Sequence, residues 1–174
     1  MMIRPIHSPE RGGSTTTWDA FFAAEVGASA ALAGLIFVGL SINLQRILSL
    51  PTVANRAAQS IILLVGVLAT ASILLVPAQS GLAQAIEVLA VVLPMWVGLD
   101  LIELRNWAKI LVIYRRALTS HTVQLQIPCA VFLGGALLEG LGVSGGLFWY
   151  PAAMIVSFLV AVLEAWVILV EINR

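Results

Sequence analysis

Residues 21–44 read FFAAEVGASAALAGLIFVGLSINL, and this stretch decides the class of fold. From Ala20 to Leu44 it carries one charged side chain, Glu25. A helix of about 20 apolar residues crosses the hydrocarbon core of a bilayer, which is roughly 30 Å thick. The stretch is long enough to do so, and its many alanines and glycines are typical of membrane helices that pack closely on one another. We therefore predict a first transmembrane helix inside a helix bundle.

The composition of the whole chain indicates the same class. Its 174 residues are 60% hydrophobic and 10% charged, whereas a soluble domain is about 25% charged. So few charges cannot cover a water-exposed surface, and we predict an all-α polytopic membrane bundle. The single cysteine, Cys129, excludes an internal disulfide and any cysteine-based metal centre. We expect it to be an inert packing residue.

Apolar runs and their breaks predict five transmembrane helices in one domain, residues 18–174. The helices are expected at about residues 19–45, 57–77, 82–103, 123–143 and 148–170, with an amphipathic segment over 105–118. Residues 1–17 contain prolines and glycines and are predicted to form a flexible tail. No Ala-x-Ala cleavage site follows the first apolar run, so we expect this tail to be retained.

Basic residues predict the orientation. Four of them lie between the third and fourth helices: Arg105, Lys109, Arg115 and Arg116. Arg46 and Arg56 lie in the first connection, and the turns after the second and fourth helices have none. Lysine and arginine in short loops favour the cytoplasmic side, so we predict the N-terminus outside and the C-terminus inside. The four-residue cluster is expected to contact anionic lipid headgroups and not nucleic acid.

The acidic residues are distributed differently from the basic ones, all of which are predicted to lie in loops or tails. Five acids fall within the predicted helices: Glu25, Glu87, Asp100, Glu139 and Glu164. A charge in mid-bilayer costs about 2.5–3.5 kcal/mol, so such groups are functional candidates by default.

These acids are expected to form two layers. At about 1.5 Å per residue, Glu25, Glu87 and Glu139 lie roughly 6–9 Å below the outer surface. A second layer near the inner surface contains Asp100, Glu103 and Glu164, with Asn43 and Gln59 among its polar residues. We therefore expect a membrane protein that binds or conducts a cation or protons through intramembrane carboxylates. The alternative interpretation of these acids is structural, with side chains that reach the interface or pair with Arg105 or Lys109.

Helix 1 also carries small residues at helical spacing, which we call the small-residue seam: Ala23, Gly27, Ala31 and Gly34. Such a seam packs either on helices of the same chain or on another copy or partner helix. The second alternative predicts a non-transporting scaffold or accessory subunit. His7 and His121 are assigned to the tail and a loop, so no metal site or other cofactor is expected. No nucleophile–base pair is found at membrane depth, and an enzyme is not expected.

The pattern of helix 1 resembles a family of small bacterial integral membrane proteins known only as uncharacterised. The resemblance is carried by Trp18-x-x-Phe21-Phe22, by the alanines and glycines of 27–34, and by the run from Leu35 to Leu44. The resemblance covers about 30 of the 174 residues. It implies a multi-pass protein of the bacterial inner membrane, and it implies no activity, cofactor or site residue.

Overall fold

The computed structural model describes residues 15–107 and 115–172. Within them the chain forms six α-helices: α1 (Thr15–Ile42), α2 (Leu44–Leu48), α3 (Pro51–Leu74), α4 (Gly81–Trp107), α5 (Arg115–Gly140) and α6 (Trp149–Ile172). A short 3₁₀ turn, Gly146–Phe148, leads into α6. All of these helices except α2 are long and apolar enough to cross a membrane. The predicted all-helical fold with five membrane-spanning helices is therefore confirmed.

Two helices begin six or more residues earlier than predicted. The second span starts at Pro51 instead of residue 57, because proline fits the first turn of a helix, where its missing N–H is not needed. The described part of the fourth span starts at Arg115 instead of residue 123. The prediction that every basic residue lies in a loop or tail is therefore wrong, because helices contain Arg46, Arg56, Arg105, Arg115 and Arg116. The loop assignment of His121 is also wrong.

The other bounds differ by a few residues at each end, as is common for helix termini. The first helix begins at Thr15, so the predicted tail is shortened by three residues. The rest of that tail, 1–14, lies outside the described residues. The third helix continues to Trp107. Residues 108–114, the middle of the predicted amphipathic segment, also lie outside the described residues.

Helix α3 is the centre of the bundle, and α1 lies at its edge. α3 packs on α1, α4 and α6, while α5 packs on α4 and α6. Over its most apolar window, 56% of α3 is buried but only 17% of α1. The core between the helices is apolar, with Leu63, Val67, Val92 and Phe132 fully buried. The five long helices alternate in direction, so the bundle has an N-terminal face, where α1, α4 and α6 begin, and a C-terminal face, where they end.

Close packing of α5 on α6 depends on Gly135. A Cβ atom at this position would lie 2.9 Å from the Cβ of Trp149 and 3.2 Å from Cε1 of Tyr150. Neither neighbouring atom is the free end of a flexible chain, so the helices would have to move apart. Gly98 on α4 is the opposite case, since nothing lies within 4 Å of an added Cβ there.

We predict that Gly135→Val lowers the free energy of unfolding by about 1–3 kcal/mol, the usual cost of overpacking. The matched Gly98→Val should stay within about 0.5 kcal/mol of the unaltered protein, as surface substitutions do. Thermal unfolding of both variants in the same detergent measures the difference. Equal melting temperatures for the two variants would contradict the packing described at Gly135.

Candidate functional site

Four helices bring charged and polar side chains together near the C-terminal face. The buried charge cluster consists of Arg56 and Gln59 on α3, Glu103 on α4, His121 on α5 and Glu164 on α6. Gln59 is 0% exposed, Glu103 and Glu164 are each 3% exposed, and His121 is 4% exposed. By helical rise, Gln59, Glu103, His121 and Glu164 lie about 3–9 Å inside the C-terminal-face ends of the spans. The four are therefore removed from water although they are close to the membrane surface.

His121 lies between two carboxylates that come from two different helices. Its Nδ1 is 2.7 Å from Oε1 of Glu103, and its Nε2 is 3.2 Å from Oε1 of Glu164. Neither ring nitrogen has a hydrogen bond of normal angle within the described chain. The two contacts are ion pairs when the ring holds both protons, and charge attraction depends less on angle than a hydrogen bond does.

Further partners surround each carboxylate. Nε2 of Gln59 donates a hydrogen bond of 2.9 Å to Oε1 of Glu103. The hydroxyl of Thr122 donates to the other oxygen of Glu103 at 3.3 Å. Nη1 of Arg56 lies 3.5 Å from Oε2 of Glu164. The cluster therefore links α3, α4, α5 and α6 through side chains that can carry charge.

The charges of the cluster balance when His121 holds two ring protons. Two carboxylates then face one imidazolium and one guanidinium, and the sum is zero. Loss of the second ring proton leaves one net negative charge in a site almost without water. Within the described residues no group of three His, Cys, Asp or Glu side chains is placed to hold a metal ion.

Polar pairs lie on both sides of the cluster. Toward the C-terminal face, Asn55 donates a hydrogen bond to Asn106. One helical turn deeper, Gln126 donates to Asp100, and the indole N–H of Trp96 donates to Gln126. Among the described contacts, Asp100 pairs with Gln126 and Glu103 with Gln59, Thr122 and His121, and neither pairs with Arg105. The predicted pairing with Lys109 lies outside the described residues.

The acids predicted near the outer surface have three different surroundings. Glu87 is exposed and accepts a 2.7 Å hydrogen bond from Gln79. Glu139 lines a cavity at the N-terminal face. Glu25 is half-buried, and its Oε2 has no hydrogen-bond partner within the described chain. Neither Glu25 nor Glu87 is among the described residues that line the cavity at Glu139.

The remaining predicted residues lie on the outside of the bundle or at its ends. Asn43 is half-buried at the junction of α1 and α2, with its amide 3.5 Å from the carbonyl oxygen of Gly39. All four residues of the small-residue seam are exposed. Arg105 is exposed in the last turn of α4. Arg115 and Arg116 begin α5, and Lys109 lies outside the described residues.

The sequence analysis missed two members of the cluster, Arg56 and His121. A signal for His121 was present, because His121, Leu125, Cys129 and Phe132 follow helical spacing and are all buried. Extending the apolar period of α5 toward its start would have placed His121 on the core face. For Arg56, the signal was Pro51, because a proline is common in the first turn of a helix and a helix that starts there contains Arg56.

No family model, curated protein or solved structure matches this chain.

We predict that His121→Leu lowers the free energy of unfolding by about 3–5 kcal/mol, because it leaves two buried carboxylates without the cation between them. The triple variant E103Q/H121L/E164Q should recover most of this loss, since replacing a whole buried ion cluster is often nearly neutral. Unfolding of both variants in detergent by heat and by sodium dodecyl sulfate measures the difference. A single variant as stable as the triple variant would contradict a buried ion contact at His121.

Proposed function

We propose that this multi-pass membrane protein binds and releases a proton at the buried charge cluster. The observation that carries the proposal is the position of His121, with each ring nitrogen within 3.2 Å of a carboxylate oxygen. Histidine is the side chain whose charge ordinarily changes near physiological pH. Ionisable groups inside a membrane bundle are rare, and they commonly mark proton or ion pathways.

A proton suits the cluster better than a metal cation does. The facing oxygen of each carboxylate is already occupied by a ring nitrogen of His121, and Arg56 adds a fixed positive charge beside Glu164. A metal ion would have to displace or oppose both positive groups. A proton needs no new ligands, because it joins or leaves the imidazole in place.

Access to the cluster is proposed from the C-terminal face only. The side chain of Arg56 is 25% exposed and joins the cluster to that surface. On the opposite side, beyond Asp100 and Gln126, the described core is apolar, and Leu63, Val92 and Cys129 are almost fully buried. We therefore propose exchange of protons with one side of the membrane, in place of a continuous path through the bundle.

The side from which protons arrive is the cytoplasm if the predicted orientation holds. Arg46 and Arg105 are exposed at the C-terminal face, and arginines in the connections and at the ends of the spans favour the cytoplasmic side. The resemblance of the α1 pattern supports a bacterial inner membrane. We accordingly propose a bacterial inner-membrane protein, N-terminus outside, whose cluster senses or buffers protons on the cytoplasmic side.

The protonation state of His121 can be measured directly, because the chain has only two histidines. The His7→Gln variant, labelled with heavy nitrogen in histidine and held in lipid nanodiscs, should give one imidazole signal. We predict that this signal moves between its two-proton and one-proton forms while the protein stays folded. Glu103→Gln or Glu164→Gln should shift the midpoint, since each removes one of the two facing charges.

Glu87→Gln is the matched control, because Glu87 is exposed and pairs with Gln79 at the other face. It should leave the midpoint of His121 unchanged. A His121 signal that keeps one protonation state across the whole pH range of the folded protein would overturn the proposal. The cluster would then be a permanent ion contact that only holds the helices together.

A second candidate function is that of a scaffold or subunit that assembles through α1. The exposed seam favours it, because nothing lies within 4 Å of a Cβ atom added at Gly27 or Gly34. Within the described chain, no other helix packs closely on the seam at Gly27 or Gly34, so the interpretation as internal packing is not supported there. Small residues at helical spacing let a second membrane helix approach closely, and we propose either another copy or a partner helix as that neighbour.

We predict that Gly34→Leu weakens such assembly, because a large side chain keeps the neighbouring helix at a distance. Ala130→Leu, at an exposed site on α5, is the matched control and should assemble as the unaltered protein does. Cross-linking in native membranes, followed by mass measurement of the purified complex, gives the assembly state. Identical cross-linked species from both variants would exclude the seam as the contact.

A further inference from the structure

The N-terminal face contains a cavity of about 350 Å³ that the proton-binding cluster does not use. α1, α3, α4, α5 and the turn before α6 all contribute to its wall. Its polar and aromatic lining consists of Trp18, Asp19, Phe22, Gln84 and Glu139, and two leucines complete the wall. The volume lies in the ordinary range for small-molecule sites, which is about 300–1,000 Å³.

The charged groups of this cavity have one sign. Asp19 and Glu139 contribute carboxylates, and none of the described lining residues is basic. Asp19 is exposed at the rim, whereas Glu139 is half-buried in the wall. A concave site lined by one sign of charge concentrates ions of the opposite sign. The cavity therefore selects for a cation.

Two glycines leave room for the carboxylate of Glu139. A Cβ atom on Gly146 would lie 2.8 Å from Oε2 of Glu139 and 2.6 Å from its backbone nitrogen. A Cβ atom on Gly81 would lie 3.1 Å from Oε1. The segments that lead into α4 and α6 therefore both close on this one side chain, and a larger residue than glycine in either segment would crowd it.

Aromatic rings form another part of the wall. The ring of Trp18 stacks on Phe22 with centroids 6.1 Å apart, and it meets Phe148 edge-on at 5.2 Å. Trp18 is thus held by neighbours on two sides. Tryptophan is the aromatic residue that attracts organic cations most strongly, and aromatic walls combined with carboxylates are typical of ammonium sites.

Two buried hydroxyl groups lie near residues that line this cavity, although neither is itself among the described lining residues. Thr70 is one helical turn from the lining residue Leu74, and Tyr150 packs against Gly135, one turn from Glu139. Both residues are 0% exposed, and neither hydroxyl has a hydrogen-bond partner within the described chain. Buried hydroxyls usually have a hydrogen-bond partner. At this end of the core, two hydroxyl groups have none among the described residues.

We propose that the cavity binds a small alkylammonium ion, with its charge at Glu139 and Asp19 and its methyl or methylene groups against Trp18 and Phe22. A metal ion does not fit the described residues, because they contain no group of three metal-ligating side chains. An anion is repelled by both carboxylates. A neutral apolar molecule would leave the carboxylate of Glu139 without a counter-charge.

Tetramethylammonium is the probe, and tert-butanol, which has a similar shape and no charge, is its matched control. Binding to the full chain in nanodiscs is followed by saturation-transfer NMR at constant ionic strength. We expect binding of tetramethylammonium and none of tert-butanol. Glu139→Gln should weaken binding about tenfold, which corresponds to 1.4 kcal/mol. Trp18→Leu should weaken it about two- to fivefold, in line with a cation–aromatic contact.

Glu87→Gln, a carboxylate outside the described lining of the cavity, should bind tetramethylammonium as the unaltered protein does. Asp19→Asn, at the exposed rim, serves in place of Glu139→Gln if that variant does not fold, and it should also weaken binding. The proposal is overturned if tetramethylammonium and tert-butanol bind alike, if neither binds, or if the carboxylate variants bind as tightly as the control.

Discussion

The pairing of His121 with Glu103 and Glu164 is the constraint on which the arrangement of the helices depends. An ionised group in an apolar bundle is stable only when an opposite charge lies against it. Here the partners come from α4, α5 and α6, and Arg56 adds α3. A shift of one helix by a single turn, about 5.4 Å, would separate these contacts. Apolar packing tolerates such shifts more easily. The charged contacts therefore fix the register of the helices relative to one another, which apolar surfaces alone do not fix.

Polarity is divided unequally along the bundle. The third nearest the C-terminal face contains the charge cluster and its amide neighbours, and the N-terminal face contains the cavity lined by Asp19 and Glu139. The middle is mainly apolar, and its buried Ser157 donates a hydrogen bond within its own helix. Each polar zone is close enough to a surface for exchange with water, and the apolar middle separates them. The two proposed sites, one for a proton and one for an organic cation, are therefore physically independent.

The same helical spacing that predicts the core also marks the site. On α4, Val92, Leu99, Glu103 and Asn106 are all buried on one side of the helix. On α6, the residues that are likewise buried on one side of the helix are Ser157, Ala161, Glu164 and Ile168. A polar residue in a core position of a membrane helix requires a partner, and that requirement can be recognised from one helix alone. The identity of the partner cannot be recognised in this way. Glu103 and Glu164, which both contact His121, are 61 positions apart in the sequence.

The sequence by itself determined the membrane class, the all-helical fold and the number of spans, because these follow from the length and polarity of consecutive residues. It also indicated that acids lie inside the spans. Only the tertiary structure decided that Glu103 and Glu164 share His121, that Glu87 is exposed, and that the small-residue seam faces outward. Hydropathy is a local property of the chain, whereas the partner of a buried charge depends on how whole helices rotate and pack against each other.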